Sequence, residues 1–224
     1  MLAQGLRGRW HGRMLTDPSM NAPEPSSTHA TRPWQELIVG GQKSGKTRRA
    51  EQAARDWIDA DPGHSAVYLA TGQAWDAEMR QRIARHQTDR TARVPGMRTV
   101  EAPLQLAQAL QAHSLAQTLV VVDCLTLWLT NWMMPMEGTQ SASNSASNQS
   151  LTLDWQAQRA LLLEVLPQCP GPVVVVGNEI GLGVIPLGRE VRAFVDALGT
   201  LNQDVAHVCS RATLMAAGLP LQLK

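Results

Sequence analysis

Short runs of consecutive apolar residues recur along the chain at Leu37–Val39, Ala66–Ala70, Val120–Asp123 and Val173–Val176. Runs of this length, apolar almost throughout, suit strands buried on both faces of a parallel sheet. Between them lie stretches with helical spacing: Arg48–Ile58, Asp76–Gln87, Leu104–His113, Leu153–Leu166 and Arg189–Val208. The last residues, Met215–Leu223, predict one or two weaker edge strands, because Pro220 cannot donate to a central ladder. Strands alternating with helices imply an α/β fold, a mostly parallel sheet with right-handed, helix-covered crossovers. In such folds ligands gather at the carboxyl ends of the strands.

Two segments break this pattern. Residues 1–33 hold Arg7, Arg9 and Arg13, then a Pro/Ser/Thr-rich stretch with little to bury, and predict a disordered tail. No apolar segment follows these arginines, so a secretory signal is not expected. Residues 139–150 (TQSASNSASNQS) predict a flexible surface insert. Residues 34–224 are then a single domain, the size expected from a chain of 224 residues.

Composition narrows the function by exclusion. A formal net charge of +1 offers neither nucleic acid nor an anionic membrane a basic surface. No apolar run approaches the roughly 18 residues of a membrane span. Cys124, Cys169 and Cys209 are odd in number and widely spaced, with no metal-ligand pattern, which suits a reducing cytoplasm.

The strongest chemical signal follows the first apolar run. Gly40-Gly41-Gln42-Lys43-Ser44-Gly45-Lys46-Thr47 has the form GxxxxGK[ST], entered from a strand and left by a helix. Backbone N–H groups in such a loop point inward and the helix N-terminus adds partial positive charge. Lys46 then reaches the β- and γ-phosphates, and the Thr47 hydroxyl ligates Mg²⁺. The sequence therefore predicts a P-loop protein that binds a nucleoside triphosphate.

The other strand ends carry weaker signals. Thr71-Gly72-Gln73 follows one run, where small residues admit a ligand or simply make a turn. Asp123 ends another, where a Walker-B carboxylate helps hold Mg²⁺ through water. Gly177–Pro186 follows a third, a glycine-rich loop with Glu179 in it. On the second predicted helix, capped by Asp76, Met79, Ile83 and His86 share one face and His86 lies at the C-terminal end. His86 either packs beside Met79 and Ile83 or, as a nucleophile toward phosphorus, carries a nucleotidyl group; periodicity favours packing.

Taken in order, GGQKSGKT, YLATGQAWDAEMRQRIARHQTDR, RTVEAP, VVVDCLTLWLTN and GNEIGLGVIP resemble one family from about Glu36 to the C-terminus. It is the bifunctional adenosylcobinamide kinase / adenosylcobinamide-phosphate guanylyltransferase family of cobalamin biosynthesis. The resemblance implies a RecA-like P-loop fold, often a homotrimer. It also implies phosphorylation of adenosylcobinamide by ATP or GTP, then transfer of GMP from GTP to the corrinoid phosphate through a guanylylated histidine. By motif that histidine is His86, which reverses the preference given by periodicity. Gly40 to Thr47 correspond to phosphate-binding positions, and Ala70, Thr71 and Gly72 to the nucleotide pocket. Gln87, Thr88, Asp89, Arg90, Glu101 and Asp123 correspond to positions that contact GTP.

The chain departs from the family pattern in places. Arg85 stands where some members carry a second histidine, and a guanidinium cannot act as a base. The run after His86 lacks a cation and a glycine, and the stretch around Val94-Pro95-Gly96 is longer. Two alternatives use the same loop without a covalent adduct: a plain small-molecule kinase and a RecA-type switch ATPase.

Overall fold

A computed structural model of the protein describes residues 33–134, 145–183 and 185–224, the side chains of 145–152 excepted. Each apolar run forms a strand: β1 Gln35–Gly40, β2 Ser65–Ala70, β4 Thr118–Asp123 and β5 Val173–Val176. With β3 Arg98–Glu101, β6 Arg211–Ala216 and β7 Leu219–Gln222 they make one sheet in the order β3-β2-β4-β5-β1-β6-β7. Every pairing is parallel except β6 with β7. Pro220 lies on that outermost strand, opposite Met215, where its missing N–H costs no central hydrogen bond.

Alternation along the central strands divides the core into two layers. Leu37, Val39, Val67, Leu69, Val120, Val122, Val173 and Val175 face one side. There they pack with α3 (Leu106–His113), α4 (Leu125–Met133), α5 (Ser145–Val165) and α6 (Arg189–Val208). Ile38, Tyr68, Leu119, Val121, Val174 and Val176 face the other, covered by α1 (Lys46–Ala60) through Ala50 and Ala54. Alanines bring α1 close to the sheet, which holds the loop before it against the strand ends.

Three elements differ from the sequence expectation. The helix α4 is apolar nearly all round and buries Leu125, Trp128 and Leu129, so it shows no amphipathic stripe. The strand β3 is an exposed edge of polar composition that forms because its backbone completes the β2 ladder. Helix α2 runs Ala77–Arg93, six residues beyond the expected end at Gln87, so His86 lies within it and Gln87–Arg90 continue it. The extension is held by the Val94 N–H donating to Arg90 O, and by Arg90 and Arg93 reaching neighbouring elements.

Helix α5 starts at Ser145, so residues 145–150 of the expected flexible insert are helical. Residues 139–144, and the expected disordered tail apart from Pro33, lie outside the described residues.

Candidate active site

The loop between β1 and α1 is shaped by two backbone features. At Gly40, φ is 153° and a Cβ would lie 2.5 Å from Met215 O and 2.7 Å from Ser44 Oγ, so no side chain fits. Lys43 (φ 57°) and Gly45 (φ 101°) take left-handed conformations, which turn successive N–H groups toward one concavity. Ser44 Oγ is buried without a partner among the described residues, a donor left for an anion. The Lys46 ammonium donates to Gly40 O at 2.9 Å and Gly41 O at 2.7 Å. Burial pulls it below the usual lysine value, against the raising effects of Cys124 and Asp123.

Asp123 is the meeting point of three elements. Its Oδ2 accepts from Thr47 Oγ1, at the start of α1, and from Tyr68 OH, on β2, each at 2.8 Å. Tyr68 is buried beside this carboxylate, and burial first, then the Asp123 charge, push its phenol well above the usual tyrosine value. It therefore serves as a donor. The thiol of Cys124 is likewise pushed up to about 12 by burial and the same charge. Thr47 and Asp123 supply hard oxygens at one place, a set that fits Mg²⁺, which keeps several waters and needs few protein ligands. No group of three or more His, Cys, Asp or Glu able to hold a metal occurs among the described residues.

Register places the other candidates in a row. Glu101 pairs with Ala70, and Ala70 with Asp123, at the carboxyl ends of β3, β2 and β4. Thr71 is locked behind them: its N–H donates to Asp123 O, and its hydroxyl both accepts from Cys124 N and donates to Cys124 O. Asn131 Nδ2 donates to Thr71 O and Pro103 O, each at 2.8 Å, and so ties the loops after β2 and β3 together. Gly72 is closed in by Leu127 Cδ1, 3.1 Å from where its Cβ would be. Glu101 itself is exposed.

The His86 helix is docked by its C-terminal half. Asp76 caps its start through Met79 N–H, as expected from the sequence. Met79, Ile83 and His86 are half-buried, and the same face continues to Arg90, which is 4% exposed. The Arg90 guanidinium lies 3.7 Å from the centroid of the Tyr68 ring and donates to Thr99 Oγ1 at 2.9 Å. One turn on, Arg93 donates to Glu51 Oε2 on α1 at 2.7 Å and pairs with Asp89. Gln87 and Thr88 are exposed, and Thr88 Oγ1 bonds back to Ala84 O. Thus Arg90 engages the sheet, whereas Gln87 and Thr88 face outward.

The glycine-rich loop after β5 also joins the site. Glu179 N–H donates to Gly40 O, and Asn178 N–H to Thr126 Oγ1. Asn202 on α6 donates to Asn178 O, and a Cβ on Gly177 would lie 2.8 Å from Asn202 Oδ1. Sequence reasoning found this loop, but not Tyr68, Asn131, Thr126 or Asn202. Tyr68 sits inside an apolar strand, and the other three reach the site from helices, so local spacing gives none of them away.

The model of the family described as cobinamide kinase / cobinamide phosphate guanyltransferase matches residues 36–223. The bifunctional adenosylcobalamin biosynthesis protein CobP of Pseudomonas aeruginosa is 43% identical over 189 residues, covering 84% of this chain and 96% of that protein. CobU of Escherichia coli is 31% identical over 191 residues, covering 84% and 98%. Among solved structures, the flagellar accessory protein FlaH of Methanocaldococcus jannaschii overlaps 86% of this chain and 79% of its own, with a TM-score of 0.45 and 8% identity. By the match over residues 36–223, the chain belongs to the cobinamide kinase / cobinamide phosphate guanyltransferase family.

Proposed function

We propose that the chain phosphorylates adenosylcobinamide with ATP or GTP and then transfers GMP from GTP to adenosylcobinamide phosphate through a phosphoramidate on His86. The observation that carries this reading is the docking of α2. His86 lies one turn before Arg90, and Arg90 is tied through Tyr68 to Asp123 and Thr47 beside the phosphate loop. Membership of the family disfavours the two alternatives without an adduct.

In the kinase step the acceptor hydroxyl oxygen attacks the γ-phosphorus and forms a P–O bond, its proton passes to solvent, the bond to the bridging oxygen breaks, and nucleoside diphosphate leaves. In the transfer step an unprotonated His86 nitrogen attacks the α-phosphorus of GTP, an N–P bond forms, and pyrophosphate leaves. The corrinoid phosphate oxygen then attacks the same phosphorus, and the P–N bond breaks to release adenosylcobinamide-GDP and free His86. Splitting the transfer in two lowers each barrier. Gly40, Gly41, Gln42, Lys43, Ser44 and Gly45 cradle the phosphates with their N–H groups, and Lys46 turns toward a phosphate oxygen. Thr47 and Asp123 hold Mg²⁺, which when bound offsets phosphate charge. Glu101, exposed at the end of β3, is the carboxylate we assign to guanine or ribose, with Asp123 kept for the metal. Ala70 and Gly72 line the base side, Thr71 is fully buried behind them and braces the loop instead of facing the base, and Arg90 holds the helix from beneath.

A homotrimer in the cytoplasm completes the proposal. Apolar side chains exposed at Leu182, Ile185 and Leu187, in the stretch that follows β5, give a second copy a surface to cover. Buried, unpaired cysteines suit a reducing compartment. Among the described residues no helix is long and apolar enough to cross a membrane.

The test is incubation with GTP labelled at the α-phosphate. Wild type should retain acid-labile, alkali-stable label and release pyrophosphate, while His86→Ala retains none. Equal label on both chains, or none on wild type, would sink the covalent route.

A further inference from the structure

Tyr68 stands between two parts of the site that no local motif connects. On one side its hydroxyl donates to Asp123 Oδ2, the same atom that receives the Thr47 hydroxyl. Both bonds fall on one oxygen, which fixes the carboxylate plane and leaves Oδ1 without a donor among the described residues. On the other side the Tyr68 ring carries the Arg90 guanidinium, 3.7 Å from its centroid. Arg90 is on the same face of α2 as His86, one turn away. Phenol and guanidinium are 5% and 4% exposed, so water does not weaken either contact.

A buried tyrosine needs some acceptor for its hydroxyl, and a backbone carbonyl would satisfy it. Here the acceptor is the carboxylate facing Thr47, and the ring supports the helix of the candidate nucleophile. We infer that Tyr68 is a positioning residue with two separable effects: its hydroxyl orients Asp123 toward the metal-bound triphosphate, and its ring, through Arg90, sets the position of His86. The inference rests on the reading of Thr47 and Asp123 as the Mg²⁺ site.

The two effects separate by substitution. Tyr68→Phe keeps the ring and removes the hydroxyl; Tyr68→Leu removes both. Binding of a fluorescent GTP analogue is measured with Mg²⁺ and with a chelator in its place. In wild type Mg²⁺ should tighten binding; in Tyr68→Phe the chelated affinity should stay within about twofold, while the tightening by Mg²⁺ falls about fivefold to tenfold, the usual scale for a charge-assisted hydrogen bond. At saturating Mg²⁺, Tyr68→Leu should slow His86 labelling about tenfold more than it slows γ-phosphoryl transfer, whereas Tyr68→Phe slows the two alike.

Tyr68 is also the only tyrosine in the chain, so ring-labelled tyrosine gives a single NMR resonance in unmodified protein. That resonance should shift when Mg²⁺ is added to the GTP complex, which keeps the test open even where a variant folds poorly. A Tyr68→Phe chain that Mg²⁺ tightens as much as wild type, or a resonance that ignores Mg²⁺, overturns the role of the hydroxyl. Equal slowing of both reactions by Tyr68→Leu overturns the role of the ring. Wild-type affinity unchanged by Mg²⁺ overturns the metal reading itself, and this inference with it.

Discussion

The phosphate loop and the His86 helix are held in place by different physics. The loop is specified within eight consecutive residues, Gly40 to Thr47, by glycines that accept unusual dihedrals and a lysine that bonds the loop's own carbonyls. Helix α2 is an ordinary helix whose position comes from side chains that reach far along the chain. Arg90 reaches Tyr68 on β2, and Arg93 reaches Glu51 on α1, 42 residues away. The loop takes its shape mainly from its own backbone, with Glu179 N–H on Gly40 O and Gly218 N–H on Ser44 O bracing it from afar, whereas the helix is positioned by a few long side-chain contacts.

The largest expected effects test this division directly. Lys46→Ala should reduce both γ-phosphoryl transfer and His86 labelling by at least about a hundredfold, since both transfers need its charge at the triphosphate. His86→Ala should abolish GMP transfer and leave triphosphate affinity within about threefold of wild type. Parallel assays of the two half-reactions check this. A His86→Ala chain that lost nucleotide affinity as Lys46→Ala does would show that the two regions are not separable.

Next in size is the anchor of α2. The Glu51 carboxylate is 2% exposed while its partner Arg93 is half-exposed, so Arg93→Gln leaves a buried charge with a weaker donor. The expected cost is about 1–3 kcal/mol of stability, read as a lower denaturant midpoint. His86 labelling should fall about tenfold, with kinase turnover changed by about threefold or less. Equal losses in both reactions would mean that the contact supports the whole fold and not the helix alone. A milder version is Asp76→Ala, which removes the cap at the other end of α2. That change should cost about 1 kcal/mol and speed amide exchange over residues 77–80 without altering affinity for triphosphate.

The same contrast explains what could be read from the sequence. Central strands and the phosphate loop were legible because their causes are local: continuous apolar runs, and glycines at fixed spacing. The β3 strand was not, because Arg98-Thr99-Val100-Glu101 becomes a strand only when β2 offers its edge. Helix α4 was hidden because its sequence is apolar nearly all round and shows no stripe, and the true end of α2 by anchors that lie on other elements. Within the site, Lys46, Thr47 and Asp123 were visible as a motif and a strand end, and the structure brings Thr47 and Asp123 into contact. Tyr68 and Asn131 were invisible, since nothing in their spacing records the carboxylate or the carbonyls that they meet across the fold.

The smallest expected effect concerns pH, and it falls on the loop side of the comparison. Burial, then the Asp123 charge, raise the Cys124 thiol from 9.0 to about 12. A group with a raised folded value keeps its stabilising contribution below the unfolded value and loses it as pH climbs toward the folded one. Above about pH 9 the unfolded chain releases this proton while the folded chain retains it, so stability falls between about pH 9 and 12. Lys46 shifts downward and works in the opposite direction; Cys124→Ala removes a contribution that raises Lys46, so its downward shift grows in the variant and adds to the difference with the same sign. Cys124→Ala should therefore show no change in slope between pH 7 and 8. By pH 10 it should lose about 1 kcal/mol less than wild type, measured by denaturant unfolding at each pH. Identical slopes in the two chains would mean that the thiol beside Asp123 is better solvated than its burial implies, and that the end of β4 under the phosphate loop is less closed than its packing suggests.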